Sequence, residues 1–182
     1  GTIKKNAMGP LVSMEGNPKL DLSIFSEGRL YRPMQGRVWR MFPLETHRGC
    51  PYKCAYCNSP SQQVLYKEEI SDSFFRKKDF KKVRDEIIMF RDEYKVEAFY
   101  FWADTFFAYS SKEFDEFIEM YSEFKIPFWC QTRPETVTYE RIKQLTEIGM
   151  FRMAFGIEHG NYEFRKKVVG RDLLNETVVN AM

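Results

Sequence analysis

The sequence lacks the features that mark membrane, secreted and nucleic-acid-binding proteins. It contains no run of about 18 or more apolar residues, and the opening GTIKKNAMGP has no apolar stretch of roughly 7 to 15 residues such as a signal peptide needs. The 28 Lys and Arg residues are interspersed with 26 Asp and Glu residues, so no basic block favours nucleic acid. We therefore expect a cytoplasmic protein that neither spans a membrane nor carries a strong nucleic-acid signal.

Cysteine and histidine are both scarce, with four and two residues among 182. Without a secretory signal, so few cysteines are better suited to metal binding or chemistry than to a disulfide framework. Three of them, Cys50, Cys54 and Cys57, fall within eight residues. Cys130 stands alone in an apolar run, which favours a buried core thiol. The clustered three are therefore the candidates for chemistry.

Hydrophobic periodicity predicts alternating strands and helices from Met41 onward. Short apolar runs predict four strands, at 41–46, 96–102, 126–132 and 151–157. Amphipathic stretches predict three helices, at about 79–94, 110–124 and 138–149. Ser110 and Glu113 form a capping box, and Gly149 suits the left-handed turn past a helix. This pattern is typical of an α/β fold with parallel strands, and about four βα units predict a partial (β/α) barrel.

The two ends of the chain differ from this alternation. Residues 1–40 contain scattered prolines and glycines and no sustained period, so we interpret them as a linker or lead-in before a core domain over residues 41–182. The segment Asn175–Met182 is helix-like but is followed by neither a capping residue nor a strand, and the first residue is glycine. We therefore expect a truncated barrel, with a core domain that is incomplete at its C-terminus.

Three closely spaced thiolates suit either zinc or an iron-sulfur cluster. A structural zinc site needs four ligands, often as two separated pairs, and the second pair is missing here. Only His47, His159 and the isolated Cys130 are available in its place. Three cysteines do suit a four-iron cluster whose fourth iron stays open to a small molecule. A zinc-stabilised binding module, completed by His47 or by another chain, is the alternative from a different class.

The segment Arg48-Gly-Cys-Pro-Tyr-Lys-Cys-Ala-Tyr-Cys57 resembles the CxxxCxxC signature of radical S-adenosylmethionine (SAM) enzymes. The resemblance implies that Cys50, Cys54 and Cys57 ligate a [4Fe-4S] cluster and that Tyr56 contacts the adenine of SAM. It further implies reductive cleavage of SAM to methionine and a 5′-deoxyadenosyl radical, which abstracts hydrogen from a substrate that the sequence does not identify. The implied partner is an electron donor such as flavodoxin or ferredoxin.

Polar residues follow three of the predicted strands: Asp104, Arg133 and Glu158. Because the carboxyl ends of parallel strands meet at one edge of a sheet, these side chains should gather beside residues 50–57, which we call the cysteine loop. The family resemblance implies that Asp104 holds the amino group of SAM, Arg133 its carboxylate, and Glu158 its ribose or methionine end. Asp104 departs from the family's usual Gly-Gly-Glu motif. For Arg133, a salt bridge to Glu135 or Glu158 is the alternative.

The lead-in, at Asp21–Phe25 and Arg32–Gly36, also resembles the segment that joins a cobalamin-binding domain to the SAM core in one branch of the family. This implies cobalamin in a missing N-terminal domain, with methyl transfer or a ring-forming step as the reaction. The chain itself shows no evident cobalamin pocket. A radical SAM enzyme that modifies transfer RNA or a ribosomal protein is a further alternative.

Overall fold

The computed structural model describes all residues 1–182. The strands are β1 (Tyr31–Met34), β2 (Arg37–Glu45), β3 (His47–Arg48), β4 (Arg76–Lys77), β5 (Ala98–Trp102), β6 (Phe128–Thr132) and β7 (Met150–Phe155). The helices are α1 (Ser59–Ile70), α2 (Phe80–Asp92), α3 (Ser111–Ser122), α4 (Tyr139–Glu147), α5 (Tyr162–Lys167) and α6 (Asn175–Asn180). None of these helices is both long and apolar enough to cross a membrane.

Five strands form one curled sheet in the order β1-β2-β5-β6-β7. The last four are parallel, and β1 adds to the edge of β2 as an antiparallel strand. Helices α2, α3 and α4 each precede the next parallel strand along the chain. This confirms the predicted α/β fold, a partial (β/α) barrel with four parallel strands. All four parallel strands direct their carboxyl ends to the same edge of the sheet.

The core between the sheet and its helices is built largely from aromatic rings. The centroid of the Phe101 ring on β5 lies 5.3 Å from that of Phe117 on α3 and 5.0 Å from that of Phe128 on β6. Both pairs have edge-to-face geometry. Aromatic pairs favour this geometry over a face-to-face sandwich, and each buried phenylalanine contributes about 2 kcal/mol or more through burial. The rings come together because strand side chains alternate between faces while helix side chains share a stripe. A rigid core thus supports the carboxyl edge of the sheet.

The predicted helix ends are confirmed. The Ser110 amide donates to Glu113 Oε2 at 2.7 Å and the Glu113 amide donates to Ser110 Oγ at 3.3 Å, which completes the capping box. Thr138 accepts from the amide of Arg141 at the start of α4. Gly149 follows α4 at φ +115°, where an added Cβ would lie 2.8 Å from Ile126 O. These local signals place the helices that precede β6 and β7.

The lead-in contributes more to the sheet than the sequence indicates. The first parallel strand begins at Arg37 rather than at Met41, and it is joined to β1 by a two-residue turn at Gln35 and Gly36. Both turn residues have positive φ, +53° and +73°, as a tight hairpin requires. Helix α1 was also missed, because its apolar residues do not form one stripe. Strand β2 therefore crosses the boundary predicted at residue 40.

Candidate functional site

All seven site residues predicted from the sequence line one cavity at the carboxyl edge of the sheet. The cavity has a volume of about 340 Å³. Its predicted lining residues are Cys50, Cys54, Tyr56, Cys57, Asp104, Arg133 and Glu158. A second cavity, of about 320 Å³, lies between the lead-in and β2 and shares no lining residue with the first. The polar strand ends and the cysteine loop therefore meet in one place.

The Cys50 end of the cysteine loop is held by uncharged groups. The Cys50 amide donates to Ser59 Oγ at 3.0 Å, and the same hydroxyl donates back to Cys50 O at 3.3 Å. The Cys50 sulfur lies 3.5 Å from Thr105 Oγ1. The preceding Gly49 has φ +83°, and a Cβ there would lie 2.9 Å from the carbonyl oxygen of Phe74. The loop therefore needs glycine before its first cysteine.

His47 stands just before this loop and is buried. Its Nε2 lies 2.9 Å from Thr105 O and its Nδ1 lies 3.2 Å from Thr46 Oγ1. Burial lowers the pKa of His47 to about 4, which keeps the imidazole neutral near pH 7. Both ring nitrogens are occupied, so His47 offers no free ligand to the cysteines. No three His, Cys, Asp or Glu side chains are gathered as ligands of a single metal ion.

The Cys54 end of the loop is held by a charged group. Arg133 Nη1 donates to Cys54 Sγ at 3.2 Å, and the guanidinium lies 3.8 Å from the centroid of the Tyr52 ring. Arg133 also forms an ion pair with Glu135, which is one of the alternatives that the sequence left open. The contacts of Arg133 are thus directed to the cysteine loop as well as to the cavity that it lines.

Sequence reasoning missed Arg171, which also lines the cavity. Its side chain is 3% exposed and forms two ion pairs. Arg171 Nη1 lies 3.2 Å from Glu158 Oε1, and Arg171 Nη2 lies 3.3 Å from Glu135 Oε2. Arg171 Nη1 also donates to Gly156 O at 2.5 Å. No sequence signal separates Arg171 from the exposed basic residues before it, because its burial depends on tertiary contacts. Ion pairs thus connect four side chains of alternating charge, in the order Arg133, Glu135, Arg171 and Glu158.

The backbone around Arg171 also contacts the cysteine loop. The amide of Ala55 donates to Val169 O at 2.9 Å. Gly170 has φ +71°, and a Cβ at this position would lie 3.3 Å from the Ala55 amide nitrogen. Only a residue without a side chain combines this conformation with so close an approach at low cost. The cysteine loop is therefore packed against a segment more than a hundred residues later in the chain.

Glu158 and Tyr56 both line the cavity. Glu158 has φ +69°, a strained conformation for a non-glycine residue that costs on the order of 1–3 kcal/mol. A Cβ at Gly156 would collide with the Glu158 carboxylate. Partial burial and this carboxylate raise the pKa of the Tyr56 hydroxyl, although the residue is 60% exposed. The cavity lining thus includes an exposed aromatic residue and an acid that is held by Arg171.

Asp104 is held at the end of β5 through its neighbours. Gln131 Nε2 donates to Ala103 O at 3.3 Å, and the Phe106 amide donates to Gln131 O at 2.9 Å. The Thr105 hydroxyl donates to Asp104 O at 2.8 Å. The carboxylate itself is exposed and forms no ion pair, unlike Glu158. Asp104 is thus an accessible acceptor on a fixed backbone.

Known proteins resemble both the sequence and the fold. The model of the radical SAM superfamily matches residues 44–182. No curated protein matches the chain. Two structures of the radical SAM methyltransferase TsrM from Kitasatospora setae match with a TM-score of 0.60 and 14% identity, over 78% of this chain and 28% of theirs. One holds tryptophan substrate and the SAM analogue aza-SAM, and the other holds cobalamin and a [4Fe-4S] cluster.

The chain spans about 28% of the length of these structures, and the likeness shows a shared fold. The family model covers most of the chain and includes the cysteine loop and the four parallel strands. The cofactors implied by the cysteine motif, a [4Fe-4S] cluster and SAM, are those of that family. The chain therefore belongs to the radical SAM superfamily of enzymes.

Proposed function

We propose that Cys50, Cys54 and Cys57 bind a [4Fe-4S] cluster and that the adjoining cavity binds SAM, so that the chain starts radical chemistry on a substrate. One observation carries the proposal. The three cysteines line the same cavity as Asp104 and Glu158, although these acids are contributed by separate strand ends far along the chain. A structural cysteine loop has no need of these acids at a cavity.

The groups around the cavity fit both cofactors. Three thiolates from one loop are suitable ligands for three irons and leave the fourth open. The volume of about 340 Å³ lies within the range of roughly 300–1,000 Å³ typical of small-molecule sites. SAM carries an ammonium, a carboxylate and ribose hydroxyls, and the cavity offers carboxylates and guanidinium groups to pair with them.

Within the proposal, each predicted residue has a role in orienting SAM. The exposed Asp104 carboxylate accepts from the amino group, and Glu158 accepts from the ribose hydroxyls or the methionine end. Tyr56 contacts the adenine, and Arg133 is the predicted partner of the carboxylate. Held by Cys50, Cys54 and Cys57, the cluster would supply the electron for reductive cleavage of SAM to methionine and a hydrogen-abstracting radical, with flavodoxin or ferredoxin as the kind of donor that would reduce it.

We further propose that the reaction belongs to the cobalamin-linked class, with methyl transfer as the leading outcome. Support comes from the likeness of the lead-in to a domain-joining segment and from the TsrM fold, whose structures include one with cobalamin. In this proposal the part of the lead-in that precedes β1 joins the core sheet to a cobalamin-binding domain. Purification of the natural full-length protein with cobalamin supplied tests it, because cobalamin absorbance that does not co-purify contradicts it.

The cluster proposal is tested by anaerobic reconstitution followed by iron and sulfide analysis. Electron paramagnetic resonance of the reduced protein is then recorded with and without SAM. We expect about four irons per chain and a spectrum that SAM perturbs, because the open iron is free to bind it. Zinc in place of iron, or a spectrum indifferent to SAM, contradicts the proposal.

Two cysteine variants make this test specific. Cys54→Ala removes a proposed ligand and should lose most of the bound iron and the SAM-sensitive spectrum. Cys130→Ala is the matched control, because Cys130 is fully buried in the aromatic core and burial raises the pKa of its thiol. The control should retain iron and its response to SAM. Equal iron loss in both variants would show that the cysteine effect is not specific to the loop.

A further inference from the structure

We propose that Arg133 is a positioning residue that sets the reduction potential of the cluster through its contact with Cys54. This inference rests on the proposed function, because it assumes that Cys54 is a cluster ligand. It assigns Arg133 a task different from the SAM carboxylate contact predicted from the sequence. The contact of the guanidinium with the sulfur carries the inference.

The three cysteine sulfurs differ in their partners. Cys50 Sγ lies near the Thr105 hydroxyl at 3.5 Å, and Cys57 Sγ accepts from the Ser59 amide at 3.4 Å. Cys54 Sγ accepts from the guanidinium of Arg133 at 3.2 Å. Hydrogen bonds with an ionised partner are roughly twice as strong as neutral ones. Cys54 is therefore the sulfur with the strongest donor.

Two contacts fix the guanidinium in addition to its hydrogen bond to Cys54. Its plane rests on the Tyr52 ring at 3.8 Å, and its Nε donates to Glu135 Oε1 at 2.6 Å. Glu135 is itself held by Arg171 at 3.3 Å. The side chain of Arg133 is 14% exposed, so water competes little for its donors. Such a planar fork loses less conformational entropy per hydrogen bond than a flexible lysine side chain.

A donor at this position acts on the cluster in a defined direction. Reduction adds one electron and makes the cluster and its thiolates more negative. Hydrogen bonds to the sulfurs stabilise that reduced state, and they are among the features that set cluster potentials. Arg133 is charged near neutral pH, because the pKa of a guanidinium is about 12 or higher. The contact should therefore make reduction easier.

The experiment is a redox titration of the reconstituted cluster without SAM, with dithionite as the reductant that is oxidised as the cluster takes up its electron. Arg133→Gln removes the charged donor. Arg141→Gln is the matched control, because Arg141 also acts electrostatically on Tyr52 but lies over the rings of Phe107 and Phe114 instead of at the sulfur. Both substitutions remove one positive charge.

We expect Arg133→Gln to make reduction at least tenfold less favourable, which for one electron is a fall of about 59 mV. Arg141→Gln should stay near the value of the unchanged protein. Arg133→Lys keeps a charged donor but loses the planar group that stacks on the Tyr52 ring. The reduction potential of its cluster should therefore lie between those of Arg133→Gln and the unchanged protein. If Arg133→Gln does not retain four irons, the reduction potentials of Arg133→Lys and Arg141→Lys are compared instead.

Two outcomes overturn the inference. An unchanged potential in Arg133→Gln, with a weaker spectral response to SAM, would mean that Arg133 serves the SAM carboxylate instead. Equal shifts in Arg133→Gln and Arg141→Gln would mean that charge alone acts, without the hydrogen bond. Failure of the proposed function is distinct from both, because the unchanged protein would then lack four irons or would not respond to SAM.

Discussion

Cys50 and Cys54 stand four residues apart, yet the two walls that hold them differ in kind. We call the groups around Cys50, which are His47, Ser59 and Thr105, the neutral wall. We call the groups on the side of Cys54, which are Arg133, Glu135, Glu158 and Arg171, the charged wall. The neutral wall is buried, whereas the charged wall surrounds one buried arginine with partly exposed acids.

The difference assigns different tasks to the two walls. Buried hydroxyl and imidazole groups with all partners in place fix a loop firmly, and each is costly to leave unpaired. Buried ion pairs are weak contributors to stability, but the loss of one partner leaves an uncompensated charge. We therefore expect the neutral wall to serve folding of the loop, and the charged wall to serve the cofactors at a greater cost if it is broken.

The largest effect should follow removal of Arg171. Arg171→Met leaves the carboxylates of Glu135 and Glu158 without their buried partner and should lower the free energy of unfolding by about 3 kcal/mol. Urea unfolding of the two proteins measures the difference. Arg84→Met is the control, because the Arg84–Glu123 pair is exposed and should cost less than about 1 kcal/mol. Equal losses in the two variants would remove the contrast between the walls.

A pH effect should appear next on the neutral wall. Burial lowers the pKa of His47 from 6.5 to about 4, so the unfolded chain binds this proton more readily than the folded one. Its contribution is fully present above pH 6.5 and is lost as the pH falls towards 4. Between pH 7.5 and 5 the free energy of unfolding should fall by about 2 kcal/mol from this group.

Urea unfolding at these two pH values measures the loss, and His47→Gln is the reference. The variant lacks the titrating group, so its decrease between pH 7.5 and 5 should be smaller than that of the unchanged protein by about the same 2 kcal/mol. Identical pH dependence in both proteins would show that His47 does not cause the loss of stability at acid pH.

A smaller effect is expected from the hydroxyl that holds Cys50. Ser59→Ala leaves the buried Cys50 amide without its acceptor and should cost about 1.5 kcal/mol in the free energy of unfolding. Ser111→Ala is the matched control, because Ser111 is also the first residue of a helix but is exposed. Thermal or urea unfolding compares the two. A loss in Ser59→Ala no larger than in the control would mean that the loop does not depend on this hydroxyl.

The smallest effect belongs to the ring beneath Arg133. Tyr52→Leu keeps an apolar side chain but removes the cation–π contact, which should cost about 0.5–1 kcal/mol in the free energy of unfolding. Phe25→Leu serves as the control, since Arg29 lies 5.6 Å from that exposed ring. Urea unfolding measures both variants. A larger loss in Phe25→Leu would show that the Tyr52 contact contributes little to the charged wall.

Much of the fold could be predicted because its signals are local. The capping box at Ser110 and the left-handed Gly149 each depend on neighbours within a few residues, and both were found. The aromatic strands were found for the same reason, because their apolar runs are short and bounded by polar turns. Helix α1 and strand β1 were not predicted, because neither concentrates apolar residues on one face.

In the candidate site, too, the residues with local sequence signals were predicted and those that depend on distant contacts were not. The cysteines, Asp104 and Glu158 were predicted from spacing and from their places after strands. Arg171 was not, because its role depends on ion pairs with acids that precede it by 36 and 13 residues. The contact of Arg133 with Cys54 also joins residues far apart in the sequence, 79 positions from each other. Long-range pairings of charged side chains leave no periodic trace in a single sequence.

The backbone hydrogen bond from Ala55 to Val169 joins the cysteine loop to the segment around Gly170, so the stabilities of the two segments are coupled. Thermodynamic coupling is reciprocal, so if an ordered segment strengthens binding to the loop, binding to the loop stabilises that segment by the same free energy. Arg171 follows directly after Gly170 in that segment. Cluster binding to the loop should therefore slow amide hydrogen exchange at Val169 and Arg171, in a segment that contributes Arg171 to the cavity lining.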